Sequence, residues 1–180
     1  FVMVEVNKSY DPFLRRPLAI LRHENERVEL LYKVKGSGTR ELSRKESGES
    51  LSVLGPLGNG FSIPEENYAI FYIAGGTGLP PILALAERIK RGHLIVGARS
   101  RSDIPLWERM QDISGIDTVV TTEDGSFGRK GIATDVLLDE LSTKVSGPCA
   151  IYACGPSGML KAVSEFADRF GAKCEVSLEE

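Results

Sequence analysis

This sequence of 180 residues has few cysteines, no excess of positive charge and no long apolar stretch. Its three cysteines, Cys149, Cys154 and Cys174, lack C-x-x-C spacing, which argues against a disulfide framework and against a metal site built from this chain. Reduced thiols in the cytoplasm are therefore expected. The net charge of −3 argues against a nucleic-acid partner. No stretch approaches the roughly 20 apolar residues that span a bilayer, so we expect no membrane partner.

The N-terminal part contains four short strand candidates separated by glycine and proline turns. They are Phe1–Val6, Pro17–Leu21, Arg27–Lys35 and Ser50–Leu54. This spacing predicts a small antiparallel β-barrel, with a short helix after Gly38 that Thr39 would cap. Four strands are too few to close a barrel, so we expect the first strands of the barrel to be missing from this sequence.

From Pro64 onward, strand candidates alternate with helix candidates. The strands are Tyr68–Ala74, His93–Ala98, Ile116–Thr121, Cys149–Ala153 and Lys173–Leu178. The helices are Pro80–Arg91, Ile104–Ile113, Ala133–Leu141 and Met159–Phe170. This alternation predicts a five-stranded parallel sheet with helices on both faces. The sequence thus predicts two domains, a β-barrel over residues 1–63 and an α/β domain over residues 64–180.

A glycine cluster lies between the first strand and the first helix of the predicted α/β domain. It reads Gly75, Gly76, Thr77, Gly78. At such a junction, backbone N–H groups and the helix N-terminus can bind a phosphate. The alternative is a tight turn without a ligand, but three glycines in four residues exceed what a turn requires. No G-x-x-x-x-G-K-[ST] sequence occurs, which disfavours P-loop nucleotide hydrolysis.

A second motif, Cys154-Gly155-Pro156, follows the fourth predicted strand. Open parallel sheets bind ligands at the carboxyl ends of their strands. Cys154 is therefore either a ligand contact or a buried structural cysteine, and the sequence leaves both open. We interpret Cys149 and Cys174 as core residues, and Trp107 likewise.

Four further residues give weaker signals. Arg99 and Arg101 follow the second strand, where a basic residue tolerates the extra phosphate of NADP and an acidic one favours NAD. In the barrel, Arg16 could bind a pyrophosphate through its planar guanidinium, and Tyr32 could stack on a flat ring. For each arginine taken alone, a solvated charge is the favoured interpretation, so these residues by themselves do not indicate a ligand.

Taken together and in chain order, the motifs resemble the ferredoxin–NADP reductase superfamily, and most closely the electron-transfer subunits of class 1B dihydroorotate dehydrogenases. The motifs that carry the resemblance are RRPLAI (15–20), LYKVKGSGT (31–39), GPLGNGF (55–61), AGGTGLPP (74–81), GARS (97–100), TTEDGSFGRKG (121–131), YACGPSGML (152–160) and CEVSLEE (174–180). The resemblance spans the whole chain.

The resemblance implies a ferredoxin reductase-like fold, in which the barrel binds FAD and the α/β domain binds a nicotinamide dinucleotide. The residues implied to bind FAD are Arg16, Pro17, Leu18, Ala19, Leu31, Tyr32, Lys33, Gly38 and Thr39. Those implied to bind NADH or NADPH are Gly75, Gly76, Thr77, Gly78, Gly155 and Pro156, with Cys154 beside the reacting nicotinamide. Ala19 replaces the usual Ser or Thr, and Lys33 replaces the usual Arg.

The implied function is an NAD(P)H-dependent flavin oxidoreductase that passes electrons from NADH through FAD and a 2Fe–2S cluster to a partner. That partner would be the FMN-containing catalytic subunit that oxidises dihydroorotate in pyrimidine biosynthesis. The cysteines that ligate the cluster in the family would follow Glu180 and are absent from this sequence. Two alternatives stay open: the small subunit of a sulfhydrogenase or of an NADH-dependent ferredoxin–NADP oxidoreductase, and a non-catalytic nucleotide-binding module.

Overall fold

The computed structural model describes residues 1–7 and 12–178, so the last two residues of the CEVSLEE motif lie outside it. The chain forms two compact units, an N-terminal unit over Phe1–Gly60 and a C-terminal unit over Phe61–Glu180. The boundary expected from the sequence, 63/64, lies three residues further along the chain. None of the described helices is long and apolar enough to cross a membrane.

The described residues of the N-terminal unit form short antiparallel strands and one short helix. In chain order these are β1 (Val2–Glu5), β2 (Arg16–Leu18), β3 (Ile20–Glu24), β4 (Arg27–Leu30), α1 (Ser37–Leu42) and β5 (Ser52–Leu54). The strands form a three-stranded sheet in the order β2-β1-β5 and a β3-β4 hairpin. The expected strand over Pro17–Leu21 is thus divided at Ala19 between two sheets.

The core of the N-terminal unit comes from alternate residues of β1 and its flank. Val2, Val4 and Val6 are buried together with Leu18 and Leu42. Because successive strand residues point to opposite faces, one face of β1 packs inward and the other stays half-exposed. Leu42 brings α1 onto this core, so α1 has a fixed position within the unit.

Arg15 joins three strands of the N-terminal unit. Its Nη1 donates to the carbonyl of Ser52 at 2.9 Å, and its Nη2 donates to Ser52 Oγ at 2.8 Å. The same Nη2 forms an ion pair with Glu5 Oε2 at 2.6 Å. Because these partners lie on β1 and β5, the Arg15 guanidinium fixes the start of β2 against both strands.

The start of α1 differs from the expectation that Thr39 caps it. The helix is preceded by Gly36, and Thr39 is its third residue. The Thr39 hydroxyl accepts hydrogen bonds from the N–H groups of Lys35 at 2.9 Å and Gly36 at 3.3 Å. Thr39 is therefore not the N-cap residue, and that expectation was wrong. From the third position of the helix, its hydroxyl bonds back to the chain that precedes the helix.

The C-terminal unit alternates strands with helices. They are β6 (Ala69–Gly75), α2 (Leu79–Ile89), β7 (Gly92–Ala98), α3 (Trp107–Gln111), β8 (Ile116–Thr122), β9 (Arg129–Lys130), α4 (Ala133–Lys144), β10 (Cys149–Cys154), α5 (Ser157–Phe170) and β11 (Lys173–Ser177). Short 3₁₀ turns cover Gly76–Gly78 and Arg101–Asp103. The helix expected over Ile104–Ile113 is shorter, because Leu106 adopts a left-handed conformation with φ 58° before α3 begins.

The strands of the C-terminal unit form one sheet in the order β11-β10-β6-β7-β8-β9. Every adjacent pair is parallel. Within the described part of the chain the sheet therefore has six strands rather than five, and the added strand is the two-residue β9 beside the end of β8. The chain runs outward from β6 to β9 and then returns to β10 on the other side of β6. The strand order therefore reverses between β6 and β10. Sheets of this type bind ligands outside the carboxyl ends of the two strands at such a reversal.

Helices cover both faces of this sheet, as expected. On one face α4 and α5 pack against a cluster that includes Phe71, Ile73 and Ile151. On the other face α2 buries Ile82, Leu83 and further apolar residues. The fully buried Tyr72 donates from its hydroxyl to the carbonyl of Arg91 at 3.1 Å on that face.

Candidate functional site

The two glycine motifs of the C-terminal unit pack directly against each other. A Cβ atom on Gly75 would lie 2.8 Å from Pro156 Cδ and 2.9 Å from Met159 Sδ. A Cβ on Gly78 would collide with the carbonyl of Cys154. The structure thus brings Gly75, Gly78, Cys154, Gly155 and Pro156 together where β6 and β10 end. Met159, to which the sequence analysis gave no role, fills the space between the two loops.

One side of this pair of loops is open. Gly76 and Thr77 are exposed, and a Cβ on Gly76 would meet nothing within 4 Å, as would one on Gly158. Neither α2 nor α5 has a side-chain hydrogen bond at its N-cap. Both helices begin at the same edge of the sheet, where the positive ends of their dipoles favour an anion. The first turn of α5 provides N–H groups for it, whereas Pro80 and Pro81 in the first turn of α2 have no N–H to donate.

Cys154 lies at this edge, but its side chain is fully buried. Alternation along β10 places Cys149, Ile151 and Ala153 in the cluster beneath α4 and α5, so Cys154 points to the α2 face. The part of Cys154 that borders the glycine loop is its main-chain carbonyl. The catalytic position expected for Cys154 remains a prediction. Cys149 is buried in the core as expected, and burial raises the pKa of its thiol.

In the N-terminal unit, the structure brings Arg16 against the start of α1. Arg16 opens β2, and its guanidinium lies where a Cβ on Gly38 would be. The Arg16 Nη1 donates to the carbonyl of Leu14 at 2.8 Å. Gly38 and Thr39 belong to the first turn of α1, whose N–H groups have no acceptor within the helix. A guanidinium beside such a turn is a suitable anion site.

The other residues predicted to bind FAD differ in exposure. Leu18 is buried in the core, so only its main chain could reach a ligand. Ala19, Leu31 and Tyr32 are half-buried, and Tyr32 packs against the core. Pro17 and Lys33 are exposed.

A group of residues that the sequence analysis did not connect lies where β7 and β8 end. The Trp107 ring meets the Phe127 ring edge-on at 5.0 Å, and Arg101 Cζ lies 4.5 Å from the Phe127 ring centroid. Trp107, expected in the core, is only half-buried. Hydrogen bonds from the side chain and backbone of Ser126 hold the pKa of Asp124 below its usual range. The signal that could have revealed this group is the aromatic residue within the glycine-rich TTEDGSFGRKG motif.

Comparison with known proteins identifies the family. Residues 72–165 match the oxidoreductase NAD-binding domain. The electron-transfer subunit of dihydroorotate dehydrogenase B (NAD(+)) from Caldanaerobacter subterraneus subsp. tengcongensis is 38% identical over 180 residues, which cover 100% of this chain and 69% of that protein. The chain belongs to this family of electron-transfer subunits. A family member from Geobacillus sp. (strain WCH70) is also 38% identical, over 100% of this chain and 70% of its own length.

Solved structures support the fold. The structure of an NADH-dependent reduced ferredoxin–NADP oxidoreductase, described in connection with flavin-based electron bifurcation, matches with a TM-score of 0.81 and 31% identity. The match covers 99% of this chain and 64% of that chain. An Amycolatopsis cytochrome P450 reductase shares the fold with a TM-score of 0.78 at 21% identity.

These comparisons confirm the expected ferredoxin reductase-like fold and the electron-transferring, NAD(P)H-dependent oxidoreductase class. FAD and NAD(H) are the cofactors of that class. The chain spans about two thirds of the length of the electron-transfer subunits that it matches.

Proposed function

We propose that this chain is the FAD- and dinucleotide-binding part of an electron-transfer subunit that takes electrons from NADH for a partner dihydroorotate dehydrogenase catalytic subunit. The observation that carries the proposal is the pair of glycine loops packed at the strand-order reversal of a chain in this family. The three free cysteines fit a cytoplasmic protein.

For the dinucleotide, the proposed site is the open side of the two glycine loops. Gly76 and Thr77 present exposed backbone there, and α5 begins beside them at Ser157. Since a Cβ on Gly76 would occupy the empty space, glycine at this position keeps room for a ligand against the backbone. The uncapped N-terminus of α5 and the exposed backbone of Gly76 and Thr77 provide N–H donors for the pyrophosphate.

For FAD, the proposed anchor is Arg16 together with the first turn of α1. The guanidinium can donate two N–H groups to a phosphate in one plane, and Gly38 lets it lie close to the helix. Tyr32 and Leu31 are half-buried after β4 and provide apolar surface for a flavin ring.

When bound, the flavin and nicotinamide supply hydride transfer and the onward release of single electrons. The residues of this chain then have to bind and orient the two cofactors and exclude water, and no side chain has to supply an acid or a base. We propose that Cys154 contributes through its main chain, because the absence of a Cβ at Gly78 lets the glycine loop lie against the Cys154 carbonyl.

A 2Fe–2S cluster does not fit the cysteines present. Cys149 and Cys154 lie buried in β10, and no group of three or more His, Cys, Asp or Glu among the described residues is arranged to hold a metal. The described residues of this chain therefore provide no ligand set for a 2Fe–2S cluster.

The test is to express the full-length protein with and without its partner, load it with FAD and add NADH without oxygen. We expect bound flavin whose absorbance NADH bleaches, and, with the partner present, NAD⁺ reduction by dihydroorotate. Protein that retains no flavin after loading, or flavin that NADH does not bleach, would overturn the proposal and favour a non-catalytic module.

One specific observation favours a second candidate. The match to an NADH-dependent ferredoxin–NADP oxidoreductase, at a TM-score of 0.81, makes a subunit of such an enzyme the main competitor. The small subunit of a sulfhydrogenase is a further alternative, supported by the sequence motifs alone. The same preparation separates the candidates: flavin bleached by NADH, without electron exchange with dihydroorotate but with exchange with ferredoxin or sulfur, supports the second.

A further inference from the structure

Arg101, Phe127 and Trp107 form an ordered stack, which we call the Arg101 stack. The Phe127 ring carries the Arg101 guanidinium near its face, with Cζ 4.5 Å from the ring centroid. Trp107 meets the same ring at an interplanar angle of 84°. Both geometries are attractive, the first between a cation and the ring face and the second between a ring edge and a ring face. The Phe127 ring therefore restrains the Arg101 side chain, which otherwise has many rotamers.

Hydrogen bonds restrain the backbone of the same residues. The Arg101 N–H donates to Ser126 Oγ at 2.8 Å, and that hydroxyl donates to Asp124 Oδ1 at 2.6 Å. The Arg101 Nη1 donates to the carbonyl of Ile104 at 3.1 Å. These bonds join the turn after β7 to the loop after β8. The orientation of Arg101 is thus set by two segments of the chain.

The Arg101 stack lies at the carboxyl ends of β7 and β8, and β7 is the neighbour of β6, which ends at the glycine loop. In folds of this type, the end of the second strand faces the adenosine half of a dinucleotide. Most of the five N–H donors of the Arg101 guanidinium have no acceptor among the described residues. Arg99 is held differently: it is 76% exposed and pairs with Asp103 at 3.7 Å.

We propose that Phe127 is a positioning residue that holds Arg101 for a phosphate in the adenosine half of a nicotinamide dinucleotide. This inference rests on the proposed function. Phosphate is the chemistry that a planar guanidinium with unused donors recognises. A side chain already ordered by stacking loses less conformational entropy when the ligand binds. The competing explanation is that the stack only ties two loops together.

The test uses the full-length, FAD-loaded protein and measures binding of ADP-ribose and of 2′-phospho-ADP-ribose by calorimetry. Trp107, the only tryptophan in the sequence, gives a second optical signal from within the stack. We expect Arg101→Gln to weaken binding about tenfold, the loss of one charge-assisted hydrogen bond. Phe127→Leu should weaken it about threefold to tenfold, and Phe127→Tyr should restore it. In turnover, Phe127→Leu should raise KM for NADH with kcat unchanged.

Phe170→Leu is the matched control, because Arg169 Cζ lies 5.4 Å from the Phe170 ring at the far end of α5. It removes a cation–ring contact at the opposite edge of the sheet, so ADP-ribose affinity should not change. If Phe127→Leu lowers thermal stability but leaves affinity and KM unchanged, the stack is only structural and the proposal is overturned. Weakening confined to the 2′-phosphate compound assigns Arg101 to that phosphate, whereas weakening of both assigns it to the pyrophosphate. Wild-type protein that binds neither compound contradicts the proposed function itself.

Discussion

The two candidate sites differ in the group that packs against a glycine. In the C-terminal unit, Gly78 packs against the carbonyl of Cys154, so backbone meets backbone. In the N-terminal unit, Gly38 packs against the guanidinium of Arg16, so backbone meets the end of a long side chain. Both glycines are required by close approach rather than by an unusual φ angle.

This difference determines what each site tolerates. A carbonyl in the last residue of β10 cannot move without disturbing the sheet, because β10 pairs with both β6 and β11. An arginine side chain can rotate away at small cost. The same Gly→Ala change should therefore damage folding in one unit and ligand binding in the other.

Gly78→Ala should have the largest effect. The new methyl group collides with fixed backbone, and such overpacking should lower the free energy of unfolding of the C-terminal unit by about 3 kcal/mol. Urea unfolding followed by Trp107 fluorescence measures it, because Trp107 lies in that unit.

Gly158→Ala is the control for that change. Gly158 lies in α5 with nothing within 4 Å of a new Cβ, so alanine should raise stability by about 0.5–1 kcal/mol through its better helix propensity. Equal effects of the two substitutions would show that close packing does not explain Gly78.

Gly38→Ala tests the other side of the comparison. The methyl group should displace Arg16, lowering FAD affinity about tenfold while changing the stability of the N-terminal unit by less than about 1 kcal/mol. Gly36→Ala is the matched control, because a Cβ there meets nothing within 4 Å. Flavin retention after gel filtration and the dissociation constant for FAD measure the effect. A large loss of stability with unchanged FAD affinity would contradict it.

Much of the C-terminal unit was predictable, because its central strands are short apolar runs and a glycine or proline stands one or two residues before each helix. β10 was expected to end at Ala153 and ends one residue later. β9 was not predictable: Arg129 and Lys130 are both exposed, so no hydrophobic pattern marks them. β9 forms because the loop after β8 turns back and lies beside the last residues of that strand.

The candidate sites were predictable as motifs but not as contacts. The sequence shows glycines at positions 75 and 78, yet only the three-dimensional structure shows that Cys154 and Pro156 are the residues they must approach. Arg101 and Phe127 are 26 positions apart, and nothing in their local sequence indicates that they stack. Long-range pairing of this kind is decided by sheet order, which a pattern of apolar residues does not encode.

Within the N-terminal unit, substitutions of Arg15 and Arg16 should separate an effect on stability from an effect on FAD binding. Arg15→Gln should lower the stability of the N-terminal unit by about 1 kcal/mol, a value reduced by solvent because the Arg15–Glu5 pair is one-third exposed. FAD affinity should stay unchanged. Arg16→Gln should do the opposite, weakening FAD binding about tenfold with little change in stability. Circular dichroism during urea unfolding and FAD titration provide the two measurements, and identical profiles for the two variants would contradict the separation.

Raising the pH into the alkaline range should lower the free energy of unfolding of the C-terminal unit by a smaller amount. Burial raises the pKa values of Tyr72, Cys149 and Tyr152, all in the C-terminal unit. A raised pKa means that folding favours the neutral form, so this stability is complete below the unfolded-state pKa, about 8.5 for Cys and about 10 for Tyr, and is lost as pH rises through the folded value. Urea unfolding followed by Trp107 should show a loss of up to about 1.4 kcal/mol per pH unit for each group that titrates. Tyr72→Phe and Cys149→Ala should each flatten this dependence; a slope that stays at the wild-type value in both variants would show that burial of these groups is not its cause.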